Sequence, residues 1–197
     1  MEVIFMKAKK LVSRGFTLVE LLIVIVVIGV LSAMMMLAST EIVSSAKATK
    51  IISDMTQLKK AATAWYLDNY ERIGKGAGGD KVEYGVKVNG NITRFSDFIN
   101  GKGGSEFLKY ISNGESMKLG SKSQRNQEDL YILRSTGKSK YWYVSYYLGN
   151  KSTLKSKLAG RAKSIGLLGS DNLTTDNQIN QTYTNQVYVD LLLLEMN

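Results

Sequence analysis

Residues 15–38 read GFTLVELLIVIVVIGVLSAMMMLA, an apolar run that carries one charge, Glu20. A helix needs about 20 predominantly apolar residues to cross the hydrocarbon of a bilayer, so this stretch is about long enough to span one. A carboxylate placed in hydrocarbon is costly and reads by default as functional. Lys7, Lys9, Lys10 and Arg14 lie just ahead of the run with no acid among them. Basic residues beside a transmembrane segment stay on the cytoplasmic side. The sequence therefore predicts an N-terminus inside and everything after about residue 40 outside.

The kind of apolar segment matters. A secretory signal has an apolar core of roughly 7–15 residues and a small-residue cleavage site. This run is longer, and its best late sites, around Ala33 and Ala38, have Leu31 and Met36 where a small residue belongs. A plain membrane anchor fits the length but gives Glu20 nothing to do. Neither reading explains why Gly15-Phe16 stands at the polar–apolar junction.

The segment Arg14-Gly15-Phe16-Thr17-Leu18-Val19-Glu20-Leu21-Leu22 closely resembles the class III signal of type IV pilins and type II secretion pseudopilins. The features that carry the resemblance are the basic leader, the Gly-Phe junction, the acid four residues after Phe16 and the apolar helix behind it. The resemblance implies a structural subunit, cleaved after Gly15 by a prepilin peptidase on the cytoplasmic face and N-methylated on the new terminus, Phe16. It implies a homo- or hetero-polymer of pilins, built on an inner-membrane assembly platform, in which Glu20 neutralises the Phe16 amine of a neighbouring subunit. A buried charge is tolerated when it is paired, which gives such a contact both a driving force and a register. The expected location is the inner membrane, single-pass, before assembly, and then a periplasmic pseudopilus or an extracellular pilus serving adhesion, motility, protein secretion or DNA uptake. The rival from another class is a membrane-anchored extracytoplasmic binding protein that never polymerises. Met1 and Met6 both remain open as the start of the leader.

Composition narrows the rest. The chain has no Cys, no His and no Pro. The first two absences exclude Ser-His-Asp and Cys-His catalysis and the usual zinc sites, and an enzyme is not expected. Without a disulfide, which many pilins carry near the C-terminus, stability must come from a core, from the long helix packing on a sheet, or from a bound ion. Net charge is +9; the leader holds four of the 26 basic residues and one of the 17 acidic ones, leaving 22 against 16, or +6. Residues 101–165 hold 13 basic and 4 acidic residues, whereas 166–197 hold 4 acidic and none basic.

After the membrane run the pattern stays helical. Ile51, Met55, Leu58, Ala62 and Trp65 form a stripe at helical spacing, with Lys47, Lys50, Lys59 and Lys60 largely off it. The simplest reading is one helix from Phe16 to about Tyr70, apolar on nearly all faces in its first half and striped in its second. The domains expected are a leader over 1–15, a transmembrane and assembly helix over 16–38, its amphipathic continuation over 39–70, and a globular α+β head over 71–197. The fold class is α+β and pilin-like, with the long helix packed on an antiparallel sheet. Pilins commonly carry a Pro about two-thirds along the apolar segment, where this chain has Met34-Met35-Met36-Leu37; that puts the family's kink in doubt. Gly29 and Ala33 form a small-xxx-small pair that permits close helix approach.

In the head, Gly74 to Gly79 reads as a flexible loop, too irregular to cradle phosphate. Val82 to Val88 and Asn91 to Phe95, joined by Asn89-Gly90, read as a hairpin. Ser105 is expected to cap a short helix through Phe107, Leu108 and Ile111. Leu130–Arg134 and Tyr141–Leu148 read as paired strands, residues 152–165 as a helix ended by Gly166 and Gly169, and Gln186–Leu194 as a last strand after a polar loop.

Three constellations are candidates for chemistry. Arg134, Lys138, Lys140 and Trp142, among the tyrosines of the 130–148 hairpin, combine cations with stacking surfaces as single-strand binders of DNA do; the same residues also fit a strand pair with aromatics facing the core. The basic helix at 152–165 fits an acidic polymer or a solvated face. Asp171, Asn172, Asp176 and Asn177 offer oxygen ligands of the kind calcium takes, in the late region where major pseudopilins hold calcium; their spacing matches no strict motif, and a plain polar turn is the favoured reading.

Overall fold

A computed structural model describes residues 16–76, 84–112, 117–136, 140–173 and 181–196. The chain divides into two units, Met1–Glu41 and Ile42–Asn197. Helix α1 (Leu18–Asp68) runs unbroken for 51 residues, through Gly29 and the Met34–Met36 stretch.

In the first unit the described side chains are exposed, among them Leu21, Ile25, Ile28, Leu31 and Met35. An all-round apolar helix has no face to turn to water and requires lipid or other helices as its solvent. It is long and apolar enough to cross a membrane. Nothing lies within 4 Å of a Cβ placed on Gly29. Gly29 and Ala33, one turn apart on this bare surface, are thus open to a neighbouring helix.

The second unit is built on the stripe read from the sequence. Ile51, Met55, Leu58, Ala62 and Trp65 are all buried, joined by Ala48 and Ala61. A five-stranded sheet, ordered β4-β5-β6-β8-β7, comprises β4 (Leu119–Gly120), β5 (Tyr131–Thr136), β6 (Tyr141–Tyr147), β7 (Leu167–Ser170) and β8 (Tyr188–Glu195). All pairs are antiparallel except the two-residue pairing of β4 with β5. The core aromatics meet around Trp142 of β6. Phe95 stacks on it at 3.7 Å, and Trp65 lies 6.0 Å away. Such pairs add to what burial alone contributes.

A second sheet of three strands, β1 (Ile73–Lys75), β2 (Tyr84–Val88) and β3 (Asn91–Thr93), is antiparallel throughout. The expected hairpin is β2–β3, turned at Asn89 (φ 49°) and Gly90 (φ 84°), the left-handed pair that Asn-Gly favours. Gly74 and Lys75, expected in a loop, form β1 and pair with Gly85 and Tyr84. On its other side Gly85 permits the close approach of β3, since a Cβ there would stand 2.2 Å from the Thr93 carbonyl oxygen.

Two short helices follow, α2 (Phe95–Phe98) and α3 (Gly104–Leu108). Ser105 lies inside α3 rather than at its cap; the cap is Gly103, with no side-chain bond. Helix α4 (Ser152–Ile165) has the expected bounds and ends at Gly166 in the left-handed conformation, whose N–H donates to the Ala162 carbonyl. Gly169, expected as a helix terminator, instead lies in β7. That strand was missed because Leu167-Leu168-Gly169-Ser170 is too short to show alternation.

The sheet face turned from α1 holds a polar network. Asp190 of β8, fully buried, accepts from Arg134 Nη2 (2.9 Å), from Ser170 Oγ (2.7 Å) and from Ser145 Oγ. These residues come from four adjacent strands, so one carboxylate ties β5, β6, β7 and β8 together. Arg134 Nε and Nη1 have no hydrogen-bond partner among the described residues.

Candidate functional site

The site begins where α1 begins. Thr17 precedes the helix, and its carbonyl accepts the Leu21 N–H at 3.2 Å, the first intrahelical bond. Thr17 Oγ1 accepts the Glu20 N–H at 3.3 Å and donates to Glu20 Oε2 at 2.8 Å. The same carboxylate oxygen accepts the Thr17 N–H, also at 2.8 Å. This is a capping box, Thr at the N-cap and Glu three residues on, in which each satisfies an orphan amide of the other. The helix dipole favours a negative charge at this end.

Glu20 is therefore held in a fixed rotamer while both it and Phe16 stay exposed. Among the described residues only Oε2 is engaged. Oε1 has no partner among the described residues and can accept a cation from outside the chain. Thr17 was missed as a functional residue, although Thr17-Leu18-Val19-Glu20 is the capping-box pattern written out in the sequence. Gly15 lies outside the described residues.

Two of the four residues expected at a nucleic-acid surface, Arg134 and Trp142, are buried. Arg134 is 1% exposed and committed to Asp190, and Trp142 is 0% exposed within the aromatic core. Neither presents an edge or a charge to a ligand. Tyr143 and Tyr146 are buried as well. Lys140 pairs with Glu195 at 3.3 Å and lies over the Tyr141 ring, and Lys138 lies outside the described residues. Strand alternation, with both faces of β6 covered, is what removes these aromatics from solvent. The basic helix is also partly structural: Lys155, expected off the packed face, is buried and donates to the Asn185 carbonyl, while Arg161 donates to Thr49 of α1.

Of the calcium candidates, Asp171 accepts the Val187 N–H at 3.3 Å, and Asp176 and Asn177 lie outside the described residues. Among the described residues no three acidic side chains gather as a metal site would require.

An exposed apolar helix, a capped carboxylate four residues behind Phe16, and an α+β head with antiparallel sheets make up a pilin-like architecture. Comparison with known proteins agrees. The family model described as the prokaryotic N-terminal methylation motif matches residues 11–36, which contain the whole capping box. The chain is also similar to fimbrial protein Q of Moraxella bovis, 30% identical over 83 residues, or 42% of this chain and 53% of that protein. It thus spans about half the length of this relative. No solved structure matches it. The motif and the fimbrial relative together support a type IV pilin-like, membrane-anchored structural subunit.

Proposed function

We propose that the chain is a prepilin, cleaved after Gly15, N-methylated on Phe16 and polymerised through its N-terminal helix into a type IV pilus or a type II secretion-like pseudopilus. The carrying observation is the half-engaged carboxylate of Glu20. Its rotamer is set from within the chain by Thr17, and its other oxygen has no partner among the described residues. A charge buried among apolar helices is strongly unfavourable unless paired, so Glu20 favours docking against an ammonium. The Phe16 amine of a neighbouring subunit supplies that ammonium once the leader is removed. The open surface at Gly29 and Ala33 supports close packing of such helices. A prepilin peptidase and an assembly platform in the inner membrane are the partners this reading requires.

The test is the intact mass and N-terminal sequence of the protein from native membranes. An N-methylated start at Phe16 is expected. A start at Met1 or Met6 in the mature protein would overturn the reading in favour of a non-polymerising anchored protein.

A further inference from the structure

The first turns of α1 within the head form one wall of a groove of about 540 Å³. Three lysines are among its lining residues: Lys47 and Lys50 from α1, and Lys118 just ahead of β4. Lys47 bonds Asp129 at 2.8 Å and Lys50 bonds Asp54 at 3.4 Å. Both carboxylates are shared with phenols, since Tyr146 donates to Asp129 and Tyr131 to Asp54, each at 2.7 Å. The Lys118 ammonium has no partner among the described residues. Three cations against two anions leave a charge of one plus, the complement of a single phosphodiester. The Asp129 backbone stands at φ 62°, a left-handed conformation that a non-glycine residue holds only where its surroundings over-determine it.

The rest of the wall is apolar, from Val43, Ala46 and Ile51 and the tyrosine rings. An inorganic anion has no use for such a wall, whereas a glycerol backbone and the first methylenes of an acyl chain do. Chain connectivity supplies the location. Val43 is the fifth residue after Ala38, the end of the apolar run, and five residues of chain reach at most roughly 18 Å in any conformation. The groove is therefore held within reach of the headgroup layer of whatever membrane the apolar helix occupies.

We propose that this groove binds the headgroup of an anionic phospholipid, seating the head on the membrane before the subunit enters a filament. The inference rests on the membrane-anchored reading. Lys47 and Lys50 become dual-purpose: they brace Asp129 and Asp54 and they contact the phosphate. Lys118 is the dedicated contact.

The experiment is lysine-specific labelling of the full chain in lipid nanodiscs, read residue by residue by mass spectrometry. Discs of phosphatidylcholine alone are compared with discs containing phosphatidylglycerol. In the anionic discs, labelling of Lys47, Lys50 and Lys118 should slow by about fivefold, the factor expected for one lysine at an anionic surface. Lys163, exposed on α4, should not change. High salt should abolish the protection, and Lys118→Gln should return Lys47 and Lys50 toward their phosphatidylcholine rates. Equal labelling in both discs would overturn the proposal. So would protection by inorganic phosphate in phosphatidylcholine discs, which marks a free-anion site, or protection in both lipids that grows with the number of chains per disc, which marks a second copy. Failure of the chain to enter either disc would refute the membrane reading instead.

Discussion

The Asp190 network gives the sharpest stability prediction. Asp190→Ala removes the acceptor shared by Arg134, Ser145 and Ser170. Among the described residues the Arg134 guanidinium, 1% exposed, then keeps only its 3.2 Å bond to Ser170, with Nε and Nη1 already unpaired. Removing one member of a buried ion pair costs about 3–5 kcal/mol, chiefly because the other charge stays buried. That is a large share of the roughly 5–15 kcal/mol that holds a domain folded, and for a head of this size it lowers Tm by roughly 10 °C. The assay is urea unfolding of a fragment beginning at Ile42, followed by fluorescence of Trp65 and Trp142, both fully buried. Arg134→Met combined with Asp190→Leu removes both charges and should recover most of the loss, because two apolar groups leave no ion stranded. A loss below about 1 kcal/mol for Asp190→Ala, or a double variant no better than the single, would refute the reasoning.

Four further outcomes are expected. Glu20→Ala should leave membrane insertion intact and abolish filament incorporation, measured by the partition of the protein between membrane and sheared-filament fractions. Thr17→Val removes the hydroxyl of the capping box and should fray the first turn of α1 at a cost of about 1 kcal/mol, read as faster amide exchange over residues 18–21 in detergent. Gly85→Ala should separate β2 from β3, because its methyl would meet the Thr93 carbonyl oxygen; loss of the cross-strand amide contacts of Lys87 and Ile92 is the measurement. Bonds from Lys47 and Tyr146 hold the Asp129 carboxyl below its ordinary 3.8. A depressed acid stabilises the fold above its unfolded value and loses that contribution as pH falls through its folded value. Lys47→Met should therefore raise the Asp129 titration toward 3.8 in an NMR pH series, and the stability gap between wild type and variant should close in acid below that range.

Much of the fold was legible because it rests on periodicity. The α1 stripe from Ile51 to Trp65, the bounds of α4 and the Asn89-Gly90 turn are local patterns, and each formed as read. The errors share a cause: they concern residues whose role is set by a partner distant in sequence. Gly74 looks like a loop residue until Gly85 lies across from it. Arg134 looks like a surface cation until Ser145 and Asp190 are paired beside it. Lys155 looks solvated until the Asn185 carbonyl reaches its ammonium. A basic residue in a strand carries no mark that distinguishes an exposed charge from one buried against a carboxylate 56 positions away.

The candidate site is built from contiguous residues and so lies open in the sequence, yet the bonds between Thr17 and Glu20 were not read there. Glu20 was identified as a charge that needs a partner; it already has half of one. Thr17 engages Oε2 through its amide and its hydroxyl, and Oε1 has no partner among the described residues. This arrangement answers a difficulty in the assembly proposal. A carboxylate with no partner would resist insertion of the lone subunit, and a fully satisfied one would give no drive to polymerise. A carboxylate capped by its own helix terminus has part of its desolvation offset within the chain, because the helix dipole and two hydrogen bonds act on it before any neighbour arrives. What remains unsatisfied is one oxygen with a fixed direction, and a fixed direction sets a register. Under the assembly proposal the capping box is where the demand for membrane tolerance and the demand for polymerisation meet, with Thr17 as the residue that aims Glu20.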